Sequence, residues 1–248
     1  MKGVYFSILI LVTIWLQFAG CKKQMASLSL PGLTDLYPMQ VGKVYLYRLD
    51  STITSSFGSA LIIVSYQAKD SIESKFTDAS GRTSFRIFRY LRDTLGLNPW
   101  SYTATYAVTF DTNHTEFVDN NLRFINLVQP VANSTAWKGN CCINTILPSP
   151  YYFMNEWVYQ YQNSDMPFTV LKGIINHTYT VIQQDQTNPS GPFDPADYKE
   201  RIYSIEVYAK GIGLIYKNFL HWTWQPTPLP ARYQEDSYGI SLSLIDYH

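Results

Sequence analysis

Two adjacent cysteines, Cys141 and Cys142, are the side chains of this sequence best placed for redox chemistry. In an oxidising compartment two such thiols tend to oxidise. A disulfide between neighbours is strained, because Cα atoms across a trans peptide lie only ~3.8 Å apart and relaxed disulfides prefer a wider spacing. A strained disulfide is easily reduced and could act as a redox switch. The alternative is a loop with two unbonded thiols, and we favour it.

The histidines form no recognisable catalytic or metal-binding motif. The sequence has no HExxH and no GxSxG, and no CxxC pair or histidine accompanies Cys141 and Cys142 as a zinc site would require. His177 and His221 alternate with apolar neighbours, which predicts core or interface histidines rather than ligands or bases. We therefore predict no metal, no cofactor and no enzymatic activity. A hydrolase is the least favoured alternative, because no pairing of a nucleophile with a base is visible.

Aromatic residues are concentrated in two segments. Trp157, Tyr159 and Tyr161 share one face of a predicted strand, and Trp222 and Trp224 share one face of another. Aromatic platforms of this kind can stack on sugars or line an apolar ligand cavity. Core and cross-strand packing is the alternative, and we favour it for most of these residues.

The N-terminus has the organisation of an export signal. Lys2 precedes an apolar run over residues 4–16, which is too short to span a bilayer comfortably but fits the central part of a signal peptide. The motif Phe18–Cys21 follows, and it resembles a bacterial lipoprotein signal that is cut before the cysteine. The resemblance implies a lipid on Cys21. A cysteine that carries two or three acyl chains anchors a protein stably in a membrane.

The residues after the cysteine bear on the choice of membrane. Lys22 and Lys23 stand there. Aspartate at the first of these positions resembles a signal for retention in the inner membrane, and an acidic patch resembles the surface-export signal of Bacteroidota lipoproteins. Since this chain has neither, the resemblance implies an outer-membrane lipoprotein that faces the periplasm.

Composition excludes one large class of partners. Of the 248 residues, 15% are charged and 46% are hydrophobic, which is a globular composition. Lys and Arg number 19, as do Asp and Glu, and no basic cluster is present. Because binding to phosphates needs a clustered basic face, we predict no nucleic-acid partner. The expected partners are the membrane, through the lipid, and a small molecule, a glycan or a protein.

Alternation of apolar and polar residues dominates the chain after residue 42. It is clearest over Ser101–Phe110, where aromatic or aliphatic residues occupy every second position. Similar segments, among them Tyr151–Tyr161, bring the count to about ten strands with almost no helix. The sequence therefore predicts an all-β protein, with about ten antiparallel strands in a curved sheet, sandwich or barrel and at most one short helix.

Two turns are also predicted. Asn120 and Asn121 indicate a tight hairpin, because asparagine tolerates the left-handed conformation that such turns need. Gly211 and Gly213 lie between two predicted strands, so we expect at least one of them to have a positive φ.

The predicted organisation is a signal peptide over residues 1–20, a tether over residues 21–40 and a single β-rich domain over residues 41–248. The segments 37–43 (YPMQVGK) and 207–215 (VYAKGIGLI) are similar to hairpin and strand segments of an uncharacterised family of predicted lipoproteins of Bacteroidota. The resemblance spans residues 37–247 and implies kinship, but it carries over no catalytic residue.

These observations predict a non-enzymatic lipoprotein of the cell envelope that binds an apolar or glycan ligand, or an envelope partner. A structural accessory subunit of an outer-membrane assembly is the alternative. A cavity lined by Trp and Tyr would favour the first hypothesis, and a flat exposed apolar patch would favour the second.

Overall fold

The computed structural model describes residues 30–248. Within that range the chain forms thirteen antiparallel strands of one sheet and a single short α-helix, α1 (Leu33–Leu36). Two 3-10 turns, Ser56–Gly58 and Tyr152–Met154, lie in connections between strands. The predicted all-β class is confirmed. None of the helices in residues 30–248 has the length and apolar character needed to cross a membrane.

The strands in chain order are β1 (Val44–Thr54), β2 (Leu61–Thr77), β3 (Thr83–Asp93), β4 (Ser101–Phe110), β5 (His114–Asp119), β6 (Leu122–Val128), β7 (Ala136–Trp137), β8 (Tyr159–Val170), β9 (Gly173–Asn188), β10 (Lys199–Ala209), β11 (Gly213–Gln225), β12 (Arg232–Tyr233) and β13 (Tyr238–Tyr247).

Most neighbouring strands of the sheet follow one another in the chain. The order is β6-β5-β4-β3-β2-β1-β13-β11-β10-β9-β8-β7, and β12 pairs with β11 outside this path. The C-terminal strand β13 lies between β1 and β11, so it joins the first half of the sheet to the second. The sheet curls until its two end strands, β6 and β7, approach each other: the Ile125 amide donates to the carbonyl of Gly139, just after β7, at 2.7 Å, and the Trp137 indole donates to the carbonyl of Ile125. The result is a nearly closed, barrel-like sheet.

Both predicted turns are confirmed. Asn120 and Asn121 have φ values of 47° and 64°, as a tight turn between β5 and β6 requires. Gly211 and Gly213 have φ values of 77° and 119° between β10 and β11. The Gly211 amide also donates to the carbonyl of Asp35 at 2.7 Å, so this hairpin holds the short helix α1.

The packed part of the chain begins before residue 41, where the sequence placed the end of a tether. Leu33, Leu36 and Tyr37 are buried and belong to the core. Their apolar side chains cover the end of the sheet at the β10–β11 hairpin, so this stretch packs rather than tethers. The predicted signal peptide, the first part of the tether and Cys21 lie outside the described residues.

The predicted strand Tyr151–Tyr161 is only partly correct. The chain forms the 3-10 turn Tyr152–Met154 and becomes a strand at Tyr159. The indole of Trp157 donates to the carbonyl of Phe153 at 2.9 Å, and both rings are buried. The aromatic residues of this segment therefore pack inside the curved sheet from a compact turn. The alternation of apolar and polar residues alone does not predict that turn.

Candidate functional site

An internal cavity of about 270 Å³ lies within the curved sheet. Seven aromatic side chains line it: Phe117, Phe124, Tyr151, Trp157, Tyr159, Phe219 and Tyr238. Exposed Asn120 and Tyr238 stand in its lining, so the cavity reaches the surface beside the β5–β6 turn. A volume of this size lies near the lower end of the range for ligand pockets and suits a small molecule.

One wall of this cavity is polar. Glu206 accepts a hydrogen bond from the hydroxyl of Tyr208 at 2.6 Å and from Nζ of Lys217 at 3.0 Å. The Tyr208 oxygen in turn accepts a hydrogen bond from Nδ2 of Asn126 at 3.1 Å, and Thr115 donates to Oδ1 of Asn126 at 2.7 Å. Because each member is held by another, these polar groups are fixed in orientation before any ligand arrives.

Two acidic residues line the cavity: the carboxylate of Glu206 is held by hydrogen bonds, and that of Asp119 is not. Among residues 30–248 its carboxylate has no hydrogen-bond partner and no ion pair at hydrogen-bonding distance. Burial raises the pKa of Asp119, although Lys217 and Arg89 act in the opposite direction. A partly desolvated carboxylate without a partner is a strong acceptor for a ligand hydroxyl or amide.

A smaller chamber of about 80 Å³ adjoins the cavity and shares Asp119, Glu206 and Lys217 with it. Its far side is closed by the ion pair of Arg89 and Asp70, whose two hydrogen bonds measure 2.6 Å and 2.5 Å. The carboxylates of Asp70, Asp119 and Glu206 and the cations of Arg89 and Lys217 therefore lie together on the inside of the sheet. Such a lining holds water or a polar group more readily than a hydrocarbon chain.

The structure brings only some of the predicted aromatic residues to this cavity. Trp157 and Tyr159 line it, with ring centroids 6.4 Å apart. Tyr161 is fully buried beyond it, where its hydroxyl bonds to the backbone of Val128.

Trp222 and Trp224 lie on the other face of the sheet. In β11 the inward-facing residues include His221, whose ring stacks on Phe153 at 4.1 Å, and strand alternation sends its neighbours outward. There both tryptophans pack against Phe193. The five predicted aromatic residues thus form no single platform.

Cys141 and Cys142 are exposed and not bonded to each other, with their sulfur atoms 3.7 Å apart. Local desolvation raises the pKa of Cys141, and the hydrogen bond and charge of Cys142 raise it further. Since a reactive cysteine needs a lowered pKa, this environment does not activate the thiol.

The two histidines that were predicted to be buried, His221 and His177, lie in different environments. His221 is fully buried, as predicted, and its Nε2 lies 3.2 Å from Glu200. His177 is exposed, and the prediction that it belongs to the apolar face is wrong. Its Nδ1 lies 2.7 Å from Asp165, and the pairing of β8 with β9 is irregular between Gln162 and Phe168, which changes the face that each residue presents. Within residues 30–248 no three His, Cys, Asp or Glu side chains gather as a metal site would need.

The polar residues of the cavity were not found from the sequence. Glu206 lies among apolar residues in the second half of β10, Lys217 lies within β11, and Asp119 ends a strand before a turn. A charge inside a strand that has buried neighbours on both faces is the signal that could have drawn attention to Glu206, because charged side chains are rarely buried without a partner.

Comparison with known proteins does not assign the chain to a family. No family model matches the chain, and no curated protein matches it. Among solved structures the chain resembles a "putative exported protein with YmcC-like fold" from Bacteroides fragilis at 8% sequence identity and a TM-score of 0.31. The match covers 85% of this chain and 99% of that chain. A TM-score this low supports no conclusion about fold or function, so the kinship with Bacteroidota lipoproteins stays a prediction.

Proposed function

We propose that the protein is a non-enzymatic lipoprotein of the cell envelope that binds a small hydroxyl-rich ligand, such as a sugar unit, in its internal cavity. The observation that carries this proposal is the presence of Trp157, Tyr159 and the unpaired carboxylate of Asp119 in one cavity of about 270 Å³. Aromatic faces and a few fixed polar groups are the combination that sugar-binding sites use.

The polar wall favours a glycan over an apolar ligand. A hydrocarbon that filled the cavity would cover Asp119 and leave its carboxylate without water or a partner, and burying an unpaired charge is costly. A sugar hydroxyl can donate to Asp119, while other hydroxyls meet Gln183 and Ser204 on the same wall. The C–H face of a sugar ring can then lie against Trp157 or Tyr159.

The same wall favours binding over hydrolysis. Glycoside hydrolysis needs two carboxyl groups that are free to act as acid and as base or nucleophile. Glu206 is already engaged by Lys217 and Tyr208. Asp119 alone leaves the site without the second group, so a ligand would be held rather than cleaved.

The location in the envelope rests on the sequence. The motif Phe18–Cys21 supports export and acylation of Cys21, and Lys22 and Lys23 after it support an outer-membrane position facing the periplasm. Metabolic labelling with a clickable fatty acid tests the anchor: wild-type protein should take up the label, and a Cys21→Ser variant should not. Equal labelling of both proteins would exclude the lipid on Cys21.

Ligand binding is tested with a panel of monosaccharides, including N-acetylglucosamine, galactose, mannose and glucuronate, titrated into the full-length mature protein. Tryptophan fluorescence is a suitable readout because Trp157 lines the cavity. At least one sugar should give a saturable change, and Asp119→Asn should weaken its binding by about tenfold, the effect of losing one charge-assisted hydrogen bond.

Glu73→Gln is the matched control, because Glu73 is an exposed carboxylate of β2 that lies outside the cavity lining. It should bind as wild type does. If every sugar fails while a fatty acid binds, and binds Asp119→Asn more tightly, the ligand is apolar and the glycan proposal is wrong.

A further inference from the structure

A second, larger depression lies outside the internal cavity. It is an open cleft of about 870 Å³ between the β1–β2 connection, the 3-10 turn Tyr152–Met154 and residues 232–236. The 3-10 turn separates the two sites: Tyr152 lines the cleft, Met154 lines the internal cavity, and Phe153 is buried between them. The cleft is therefore a site of its own.

Aromatic rings form the walls of this cleft. Phe57, Tyr152, Tyr198 and Tyr233 line it, and Phe57 is 92% exposed. In the part of the chain that the structure describes, none of these four rings has a lysine or arginine over its face, although ten such pairs occur elsewhere in the same range. The exposed rings of Phe57, Tyr152 and Tyr198 are accessible to a cation from outside, whereas Tyr233 packs against Trp222 and Trp224.

The turn that carries Phe57 is held in place. Gly58 has a φ of 68°, and a Cβ at this position would lie 2.3 Å from the carbonyl oxygen of Tyr233. The β1–β2 connection thus packs directly on β12 and fixes the opposite walls of the cleft relative to each other. A cleft with fixed walls loses less conformational entropy when a ligand binds.

Acidic groups outnumber basic groups in the cleft. Glu235 and Asp236 line it, and across residues 30–248 neither forms an ion pair. Arg232 is the single basic residue of the lining. Tyr198 and Asp236 line the same cleft, and burial together with the charges of Glu200 and Asp236 raises the pKa of Tyr198.

A buried hydroxyl at the base of the cleft has no partner. Thr223 lines the cleft and is 6% exposed, and its Oγ1 makes no hydrogen bond within the described residues. Buried polar atoms are almost always satisfied, so an unsatisfied hydroxyl in a cleft marks a position where a ligand atom can donate or accept.

We propose that this cleft binds an organic cation, a ligand that carries an ammonium group and a hydroxyl within a few bonds of each other. The ammonium lies against the tyrosine rings beside Asp236, where cation–π attraction and opposite charge act together. The ligand hydroxyl reaches Oγ1 of Thr223. A neutral molecule of the same shape gains neither of the two electrostatic contributions.

Choline and its neutral isostere 3,3-dimethylbutan-1-ol form a matched pair of probes for this proposal. Both are titrated into the full-length mature protein by calorimetry. Choline should bind at least about fivefold more tightly than the isostere, and its affinity should fall as salt is added, because the carboxylates at an open cleft are screened.

Two variants locate the site. Asp236→Asn should weaken choline binding by about fivefold or more without changing the melting temperature, since no ion pair is lost. Glu73→Gln, which removes an exposed carboxylate far from the cleft lining, should bind choline as wild type does. Equal affinity for choline and its isostere, an absence of binding for both, or unchanged binding by Asp236→Asn would each overturn the proposal. Asp119→Asn, which alters the internal cavity, should leave choline binding unchanged, so failure of one site is distinguishable from failure of the other.

Discussion

The hydroxyl of Tyr161 makes both backbone hydrogen bonds of Val128. It donates to the carbonyl oxygen at 2.8 Å and accepts from the amide at 3.0 Å. Val128 ends β6, an end strand of the sheet, so the side chain takes the place of the neighbouring strand that β6 lacks. Nearby, the indole of Trp137 donates to the carbonyl of Ile125 at 2.7 Å. Side chains thus join the two ends of the sheet where backbone pairing stops.

Removing the Tyr161 hydroxyl should destabilise the contact between the two ends of the sheet. Tyr161→Phe keeps the ring but leaves the amide and carbonyl of Val128 without their partner, so we expect a loss of about 1–3 kcal/mol in the free energy of unfolding. Chemical denaturation measures it. Tyr66→Phe is the control, because the Tyr66 hydroxyl makes no hydrogen bond within residues 30–248, and it should cost much less. Equal losses for the two variants would contradict the role given to Tyr161.

The buried ion pair of Asp70 and Arg89 gives a second prediction. Both residues are 9% exposed, and Arg89 also lies 4.8 Å from the ring centroid of Tyr106. Asp70→Asn leaves the guanidinium buried without a counter-charge, so the free energy of unfolding should fall by about 3–5 kcal/mol. The double variant Asp70→Leu with Arg89→Met removes both charges and should recover a large part of that loss. A double variant less stable than Asp70→Asn would contradict this account.

The strands and turns could be predicted from the sequence, because they depend on the local pattern of residues. Alternation over Ser101–Phe110 reflects one buried face, and Gly211 and Gly213 are needed for positive φ at a tight turn. The burial of Tyr159 and Tyr161 also follows from their shared face of β8. These features are set by residues close to one another in the chain.

The candidate sites could not be predicted from the sequence, because they depend on contacts between distant strands. Asn126 meets Tyr208 across a separation of 82 residues, and nothing in either neighbourhood identifies the other. The outward position of Trp222 and Trp224 depends on which face of β11 turns inward, and alternation alone leaves both choices equal. His177 was assigned to the wrong face because an irregular pairing changes the alternation beside it.

Tyrosine ionisation predicts how stability depends on high pH. Burial raises the pKa of Tyr106 to about 12, and burial raises the pKa of Tyr37, Tyr47 and Tyr208 well above the ordinary value. A raised pKa in the folded state means that folding favours the neutral phenol. The stabilisation is therefore complete below the unfolded value of about 10 and is lost as the pH rises from there towards the folded values.

The measurement is a parallel titration of phenolate absorbance and circular dichroism between about pH 9 and pH 13, a range that brackets the free phenol. We expect the buried tyrosines to ionise together with unfolding, in one cooperative transition. Full ionisation of all tyrosines near the free value, with the sheet intact, would show that these phenols are not protected by the fold.

The loop that contains the two cysteines gives the last prediction, because structural and chemical roles separate within four residues. A Cβ on Gly139 would lie 2.1 Å from the ring of Tyr159, and Asn140 donates to the carbonyl of Met154 at 2.5 Å. Cys141 and Cys142 are exposed and unbonded. Gly139 and Asn140 thus anchor the loop to the cavity wall, and the thiols contribute little to it.

Two variants separate these roles. Replacing Cys141 and Cys142 with serine should leave the melting temperature within about two degrees of wild type, as for exposed positions. Gly139→Ala should cost about 1–3 kcal/mol, because the ring of Tyr159 must move within a packed interior. Gly32→Ala is its control, since a Cβ there has only ordinary contacts. Alkylation of the isolated protein should find free thiols. A fully oxidised pair, combined with a large loss of stability in the double serine variant, would instead make the cysteines a redox element.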